Sequence, residues 1–289
     1  MVIVRLSGGL GNQMFQYAAG RAIAHRRRVP LKLDVSEFQN GSHRIYALEA
    51  FNINGSIISS QAIESFKTSA TSRSALLLDK LRPYYRRPLI KESGFTFDPN
   101  ILRASGQVYL DGYWQSEKYF EDIQELLRAE FTVKEQPQGA NASMMERIKQ
   151  SSAAVSLHVR RGDYASDPGS NQYHGTCSPE YYQSAVSKLI ALGIQPHFFV
   201  FSDDIPWAQA NLHLDYPASF VNQNGMSADH EDLRLMSTCR HHIIANSSFS
   251  WWGAWLGSHP DMVVIAPRKW FNEATHDTRD LIPASWLQV

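Results

Sequence analysis

Apolar and polar positions near the start of the chain predict a strand, a helix and a second strand. Residues 2–6 form a short, mainly apolar run of the length of a buried strand. After a glycine-rich segment at residues 7–12, apolar side chains recur at helical spacing from Met14 to Ile23. Residues 31–35 are the next largely apolar run. A strand, a helix and a strand in this order predict a parallel strand pair and therefore an α/β fold.

The second half of the chain repeats this alternation, and polar residues follow each predicted strand at once. Three strands are predicted, at residues 155–159, 198–201 and 242–245. The polar residues that follow them are 160–163, 202–204 and 246–250, respectively. Helices are predicted at residues 179–192, after Pro206 and from Trp251, and a fourth strand at residues 263–266. Ligands bind at the carboxyl ends of the strands in open α/β sheets, so these polar segments are candidate site residues.

A polar segment that contains proline and glycine, residues 134–143, separates the two halves of the chain. Such a composition is typical of a linker between domains. We therefore expect an N-terminal domain over residues 1–140 and a C-terminal domain over residues 141–289. In a variant of this arrangement, the last helix of the chain packs back on the N-terminal domain.

Composition and charge narrow the classes of function. The 289 residues are 43% hydrophobic and include 28 basic and 28 acidic side chains, which predicts a folded core and a net charge of zero. A general nucleic-acid-binding protein would need a basic excess. Two cysteines, Cys177 and Cys239, do not make a disulfide scaffold or a zinc site. The first residues lack the pattern of a secretion signal, and no apolar run has the length of a membrane span, so we expect a cytoplasmic protein.

The glycine-rich segment before the first helix is a candidate phosphate-binding loop. Glycines at Gly9 and Gly11 let a ligand approach the backbone, and a helix N-terminus favours phosphate. Asp34 follows at about the spacing of a dinucleotide-binding motif, but the third glycine of that motif is replaced by Met14. The segment therefore predicts a phosphate-side loop or a structural turn. An NAD-dependent oxidoreductase stays as an alternative function.

Two adjacent arginines follow the first strand of the second half. Strand periodicity places His158 and Arg160 on the same face. A guanidinium forms bidentate hydrogen bonds with phosphate oxygens and keeps its charge at every relevant pH. Arg160 and Arg161 therefore predict a site for a pyrophosphate group. The alternative is a structural ion pair between one of them and Asp163.

Polar residues after the other two strands allow both a binding and a structural interpretation. The carboxylate of Asp203 or Asp204 could accept two hydrogen bonds from guanine, whereas Ser202 or Asp203 could instead cap the next helix. Hydroxyl and backbone N–H groups of residues 246–250, at a helix start, suit phosphate. The neighbouring tryptophans are expected in the core. The chain has no Asp-x-Asp triplet, the usual pattern in metal-dependent sugar-nucleotide transferases.

Five segments, in this order, resemble the α-1,2-fucosyltransferases of glycosyltransferase family 11, in its bacterial branch. They are GGLGNQMFQYA, GYWQSEKYF, HVRRGDY, FSDD and NSSFSWWGAWL, and the similarity extends over nearly the whole chain. The resemblance implies the GT-B architecture, in which two Rossmann-like domains face a central cleft. It also implies GDP-fucose as donor, a galactose-terminated acceptor, inversion at the anomeric carbon, and neither a metal nor another cofactor. Synthesis of a lipopolysaccharide O-antigen or a similar surface glycan is the implied setting.

The resemblance also implies roles for single residues. Arg160 would hold the β-phosphate, and Asp203 or Asp204 would hold guanine. The catalytic candidates are Arg160, Asp163 and His174. Asp163 and His174 are alternatives for the general base. A third alternative is a loose transition state that needs no general base. The donor-binding candidates are Gly9, Gly11, Asn12, His158, Arg160, Arg161, Ser202, Asp203, Asp204, Asn246, Ser247, Ser248 and Phe249.

The partners that the resemblance implies are GDP-fucose and a galactose-terminated oligosaccharide, with no nucleic acid. A lipid-linked acceptor would bring the protein to the inner face of a membrane. A carbohydrate-binding protein without enzymatic activity is the alternative from another class, indicated by the tryptophans and tyrosines. Such a protein would not need the arginine pair at a strand end.

Overall fold

The computed structural model describes residues 1–39, 44–162, 167–225, 228–273 and 276–289. They form two compact units: Met1–Lys134 with Asp277–Leu281, and Glu135–His276 with Ile282–Val289. Residues 135–140, expected in the N-terminal domain, belong to the second unit. The helix that follows them packs its buried Met144 and Ile148 into the core of that unit.

The first unit is built on a parallel sheet of five strands in the order β3-β2-β1-β5-β4. The strands are β1 Val2–Arg5, β2 Leu31–Asp34, β3 Ser56–Ile57, β4 Leu89–Lys91 and β5 Val108–Asp111. The described α-helices are α1 Leu10–Arg27, α2 Ser60–Ala70, α3 Arg73–Leu81 and α4 Gln124–Glu130. The predicted strand, helix and strand at the start of the chain are confirmed. Because α1 begins at Leu10, the glycine loop is shorter than expected.

Helix α1 lies close against the sheet because small residues line its inner face. A Cβ atom at Gly20 would lie 3.1 Å from Leu31 Cδ1 and 3.2 Å from Val4 Cβ. In dinucleotide-binding proteins the third glycine of the motif permits such a close helix–strand contact. In this chain Gly20 does so, and Met14, which stands at the motif position, is completely buried.

The second unit is built on a parallel sheet of six strands in the order β11-β10-β9-β6-β7-β8. The strands are β6 Ala154–Val159, β7 His197–Ser202, β8 Ala218–Val221, β9 His241–Ile243, β10 Val264–Ala266 and β11 Leu287–Gln288. The described α-helices are α5 Gly139–Gln150, α6 Pro168–His174, α7 Pro179–Ala191, α8 Ile205–Asn211, α9 Asp229–Thr238 and α10 Ser248–Trp255. The four strands predicted in this half are confirmed to within one or two residues at each end.

Both faces of this second sheet are covered by apolar side chains, as a parallel sheet requires. On one face Val155 and Leu157 of β6 pack with Tyr182 and Leu189 of α7. On the other face, Phe199 of β7 and its neighbours pack against α5 and α9. All six residues of β6 are buried. Each unit is therefore a parallel α/β structure, and the expected fold class is confirmed.

The last helix of the described residues is α10, and it stays in the second unit. It begins at Ser248 and not at Trp251, because Ser247 caps its first turn. Trp251 is buried and its ring lies 5.4 Å from that of Trp286, also in the second unit. The segment that returns to the first unit is Asp277–Leu281, where the Asp280 carboxylate accepts a hydrogen bond from the backbone N–H of Phe97 at 2.9 Å.

Within the described ranges, no helix combines the length and the apolar composition that a membrane-spanning segment needs.

Candidate active site

The three polar segments of the second half lie at one edge of its sheet. Strand β6 pairs in parallel with β7 on one side and with β9 on the other. Their carboxyl ends therefore point the same way, and Arg160, Asp203 and the start of α10 follow them directly. The sequence predicted ligand-binding residues at this edge, which is the position of the ligand in open α/β sheets.

Asp203 holds the first arginine of the pair. Its Oδ2 atom lies 2.8 Å from Nη1 of Arg160, and its Oδ1 atom accepts the backbone N–H of Arg161 at 2.8 Å. The Arg160 side chain is 23% exposed, so the guanidinium is oriented by Asp203 and still reaches solvent. The structural ion pair that the sequence suggested was with Asp163, which lies outside the described residues.

Arg161 is held by two neighbours on the next connection. Its Nε atom lies 3.5 Å from Oδ2 of Asp204, and its guanidinium carbon lies 4.1 Å from the ring centre of Trp207. Stacking on an indole ring restricts the orientation of an arginine and leaves its charge in place. Trp207 was not among the candidate site residues, although it follows Asp204 by less than one helical turn.

The segment after β7 caps helix α8. Ser202 Oγ accepts the backbone N–H of Asp204 at 2.9 Å, and Asp204 Oδ1 accepts that of Trp207 at 3.1 Å. Helix capping by this segment is thus confirmed, but the N-cap residue is Asp204 and not Ser202 or Asp203, as the sequence predicted. Asp203 is an arginine partner and not a cap. Guanine binding by either aspartate stays a prediction.

The start of α10 presents hydroxyl groups to the same edge of the sheet. Ser247 is the N-cap residue and accepts the backbone N–H of Phe249 at 3.3 Å. Ser248 is half-buried, and the first turn of the helix contains no acidic residue. A helix N-terminus without a carboxylate keeps its partial positive charge available for an anion. Trp251 and Trp252 are fully buried, which confirms their interpretation as core residues.

Asn246 anchors the backbone around this edge. Its Nδ2 atom donates to the carbonyl oxygens of His174, Gly175 and Trp270 at 3.0, 3.2 and 3.2 Å. Its Oδ1 atom lies 3.5 Å from Sγ of Cys177. The side chain is 3% exposed. Asn246 was predicted to bind the donor, but the described hydrogen bonds of its amide go to protein groups.

His158 is buried beneath the edge and is uncharged at neutral pH. Desolvation by burial, followed by the positive charge of Arg160, lowers the pKa of His158 to about 3. Its ring centre lies 5.7 Å from that of Phe249. Within the described residues its Nδ1 atom is buried without a hydrogen-bond partner.

The stability of the protein should therefore depend on pH through His158. The unfolded imidazole takes up a proton near pH 6.5, whereas the folded one does so only near pH 3. The stabilisation of the neutral form is complete above pH 6.5 and is lost as the pH falls toward 3, at about 1.4 kcal/mol per pH unit for one proton. Denaturant unfolding at several pH values should show a shallower slope for His158→Leu. Parallel curves for wild type and variant would contradict this expectation. His242 is equally buried, and its pKa is also lowered to about 3. His242→Leu should therefore also make the dependence of stability on pH shallower.

The two candidates for a general base differ in what the structure describes. His174 is the last residue of α6, is half-buried, and its ring centre lies 4.7 Å from that of Tyr173 and 5.6 Å from that of Phe271. Asp163 lies outside the described residues. The role of each stays a prediction.

In the first unit, the glycine motif forms the start of α1. Gly9 is the N-cap residue, and Gly11 and Asn12 lie in the first turn. Oδ1 of Asn12 accepts a hydrogen bond from Nε2 of Gln115 at 2.8 Å, which connects two of the motifs. Gln13, which belongs to the glycine motif but was not among the candidate site residues, is buried and donates to the carbonyl oxygens of Gly8 and Ile45 at 3.0 and 2.8 Å.

Asp34 has a structural role that weakens the oxidoreductase alternative. Its side chain is completely buried. The Oδ1 atom accepts the backbone N–H of Ser36 at 2.9 Å, and the Oδ2 atom accepts the hydroxyl of Tyr109 at 2.6 Å. The ribose of a dinucleotide needs an accessible carboxylate at this position. Both oxygens of Asp34 instead accept hydrogen bonds from protein groups of the same unit.

Comparison with known proteins agrees with the motifs. The family model described as glycosyl transferase family 11 matches residues 1–289. The chain belongs to glycosyl transferase family 11. Among its relatives is an alpha-1,2-colitosyltransferase of Escherichia coli, 34% identical over 100% of this chain and 99% of the relative. The O-antigen biosynthesis glycosyltransferase WbnK of Escherichia coli is 30% identical over 98% of this chain and 99% of the relative. A galactoside 2-alpha-L-fucosyltransferase, SEC1 of Bos taurus, is 29% identical over 52% of this chain and 42% of the relative.

Solved fucosyltransferase structures share the fold of this family 11 chain. The alpha-1,6-fucosyltransferase NodZ of Bradyrhizobium, crystallised with GDP, superposes with a TM-score of 0.55 at 15% identity. The match covers 91% of this chain and 94% of NodZ. A mutant of Arabidopsis thaliana FUT1 in complex with GDP has a TM-score of 0.54 at 10% identity, over 91% of this chain and 69% of FUT1. At such low identity these matches support the fold alone.

Proposed function

We propose that this protein is an inverting fucosyltransferase that moves L-fucose from GDP-fucose to the 2-hydroxyl of a terminal galactose. The observation that carries the proposal is the orientation of Arg160 by Asp203, at the sheet edge where α10 begins. A partly exposed guanidinium beside a helix N-terminus suits a nucleoside diphosphate. Membership of family 11 and the GDP complexes of proteins with the same fold support this choice of ligand.

The chemistry follows from the charges that develop during the transfer. The bond between the anomeric carbon and the β-phosphate oxygen breaks while the acceptor hydroxyl attacks from the opposite face. The sugar gains oxocarbenium character, and negative charge collects on the leaving diphosphate. Arg160 and the backbone N–H groups at Ser247 and Ser248 are the groups that would stabilise that charge. The acceptor proton goes to His174 or Asp163, or to water if the transition state is loose.

The arginine pair is proposed to act without a divalent metal ion. A fixed guanidinium and a helix N-terminus supply positive charge at the leaving group. The test is transfer from GDP-fucose to a panel of small galactosides in EDTA, with linkage analysis of the product. An α-1,2 product in EDTA supports the proposal. Activity that requires added Mg²⁺ or Mn²⁺ would contradict metal independence, and a product with another linkage would contradict the 2-hydroxyl assignment.

Transfer of colitose is the second candidate function. It is favoured by the full-length similarity to an alpha-1,2-colitosyltransferase. Colitose is fucose without the 3-hydroxyl group, so the two donors differ by one hydrogen-bonding group. A site that hydrogen-bonds the 3-hydroxyl rejects the sugar that lacks it by a large factor, whereas an apolar site discriminates weakly. Parallel reactions with GDP-fucose and GDP-colitose decide between the donors by the ratio of their kcat/KM values.

Gly162 provides a test of the Asp203–Arg160 pair. A Cβ atom at this position would lie 2.5 Å from Oδ2 of Asp203, closer than real contacts allow. Gly162→Ala should push the carboxylate away from Arg160 and lower kcat about tenfold to a hundredfold, since small misplacements at a reacting centre have effects of this size. At Gly94 a Cβ meets nothing within 4 Å, so Gly94→Ala should leave kcat unchanged. Equal activities of the two variants would show that the pair does not position Arg160.

A further inference from the structure

Helix α3 has leucine side chains that are exposed to solvent and are not buried by the rest of the chain. No residue of this helix is buried. Leu76, Leu77, Leu78 and Leu81 are 50, 64, 51 and 85% exposed. Of the nine large hydrophobic side chains exposed among the described residues, five lie between Leu76 and Tyr84. Single exposed leucines are ordinary on a protein surface, but a cluster of this kind is typical of an interaction site.

Three of the leucines define one side of the helix. Leu77, Leu78 and Leu81 lie within about a third of its circumference, and Leu76 flanks them. Ala75 and Asp79, on the opposite side, are half-buried, and Ala75 lines a cavity of about 700 Å³ together with residues of α2. The helix thus turns its short side chains toward its own fold and its long apolar ones outward. This orientation is the reverse of that of a helix that packs on a core.

Basic residues surround the leucines. Residues 71–88, which we call the α3 segment, contain five basic side chains and one acidic one. They are Arg73, Lys80, Arg82, Arg86 and Arg87, against Asp79. The segment therefore carries a net charge of +4 in a chain whose total is zero. Tyr84 and Tyr85 follow the helix, with ring centres 5.6 Å apart. Tyrosines of this kind are enriched at the boundary between water and lipid.

We propose that the α3 segment docks the protein on an anionic lipid surface, with the leucines inserted at the headgroup boundary. Short amphipathic helices with a basic rim bind in this way, through buried apolar area and attraction to acidic headgroups. The charge decides between this occupant and a second copy of the chain. Two segments of net charge +4 repel each other, whereas an anionic bilayer attracts them. The proposal does not depend on the donor or on the acceptor.

The experiment is co-sedimentation of the full chain with vesicles of phosphatidylcholine, with and without phosphatidylglycerol. Wild type should bind the vesicles that contain phosphatidylglycerol and should dissociate as salt is raised, since exposed charges are screened. Leu77→Gln, Leu78→Gln and Leu81→Gln combined should weaken binding about tenfold or more. Arg73→Glu with Lys80→Glu should weaken it about 25-fold or more, since each basic residue near an anionic surface contributes about fivefold.

Matched control variants make the result specific to the α3 segment. Leu192 is 50% exposed on the second unit, and Lys188 is also exposed there. Leu192→Gln and Lys188→Glu should bind vesicles as wild type does, and thermal melting should be unchanged in all variants. If the leucine variant does not fold, the charge variant carries the test alone. Failure of wild type to bind phosphatidylglycerol vesicles would overturn the proposal. So would equal binding by all variants, or self-association that only the leucine variant abolishes.

Discussion

Arg160→Ala should lower kcat for sugar transfer by about a hundredfold or more while the protein stays folded. Removing one group that stabilises developing charge in a preorganised site has effects of this size. Arg160 is suited to this role because Asp203 fixes its Nη1 atom at 2.8 Å while the side chain remains partly exposed. The alanine side chain carries no charge and no hydrogen-bond donor, so it cannot stabilise the negative charge that collects on the leaving diphosphate. Steady-state kinetics with a saturating donor measure the change in kcat separately from KM.

Two further variants show whether this loss is specific. Arg240 forms an ion pair with Asp261 on the exposed surface of the same unit. Arg240→Ala removes the same charge and the same side chain away from the sheet edge, so its kcat should equal that of wild type. Arg160→Lys keeps the charge without the forked geometry and should retain only part of the activity. Near-normal turnover of Arg160→Ala, with an unchanged melting temperature, would remove Arg160 from the mechanism.

Asn246→Asp should lower the free energy of unfolding by about 3 kcal/mol or more, as expected when buried carbonyl groups lose their donor and a charge is buried. The amide of Asn246 donates to three backbone carbonyl oxygens. A carboxylate has the same shape but no hydrogens, so it would bring negative charge against these oxygens. Two of the carbonyls belong to His174 and Gly175, so the backbone next to the His174 candidate should also lose its anchor. Chemical denaturation at neutral pH measures the destabilisation.

Asn52 provides the matched control for this substitution. It is exposed, and its Nδ2 atom donates to the carbonyl oxygen of Thr132 at 3.1 Å. In Asn52→Asp, water can hydrate both the new carboxylate and the released carbonyl, so the free energy of unfolding should change by less than about 1 kcal/mol. If Asn246→Asp were as mild as Asn52→Asp, the proposed anchoring role of Asn246 would be wrong.

Local patterns were sufficient to predict where the polar segments of the second unit lie. The apolar runs predicted the strands now seen as β6, β7 and β9, and the residues after each run were polar. Strand period and length depend on neighbours in the chain, and parallel strands expose their carboxyl ends together. The approach of Arg160 and Asp203 to the same sheet edge was therefore accessible from the sequence.

Local patterns did not predict which side chains contact each other at that edge of the sheet. The sequence suggested Asp163, which lies outside the described residues, as the structural partner of an arginine because it is nearest in the chain; the described carboxylate at 2.8 Å from Arg160 is Asp203. Asn246 was selected as a donor-binding residue because it begins a polar motif, and this role stays a prediction; its amide donates to backbone carbonyls of two segments, at His174 and Gly175 and at Trp270. Each of these contacts depends on which strands are neighbours, and hydrophobic periodicity does not encode strand order.

The sequence by itself determined that this protein has two α/β halves, which residue types stand at the carboxyl ends of their strands, and through its motifs the family. These features follow from short-range periodicity and from residue identity. Only the tertiary structure decided that β6 lies between β7 and β9, that Asp203 orients Arg160, and that the leucines of α3 face solvent. The physical reason is that such contacts join residues far apart in the chain, and their geometry is the outcome of packing the whole unit.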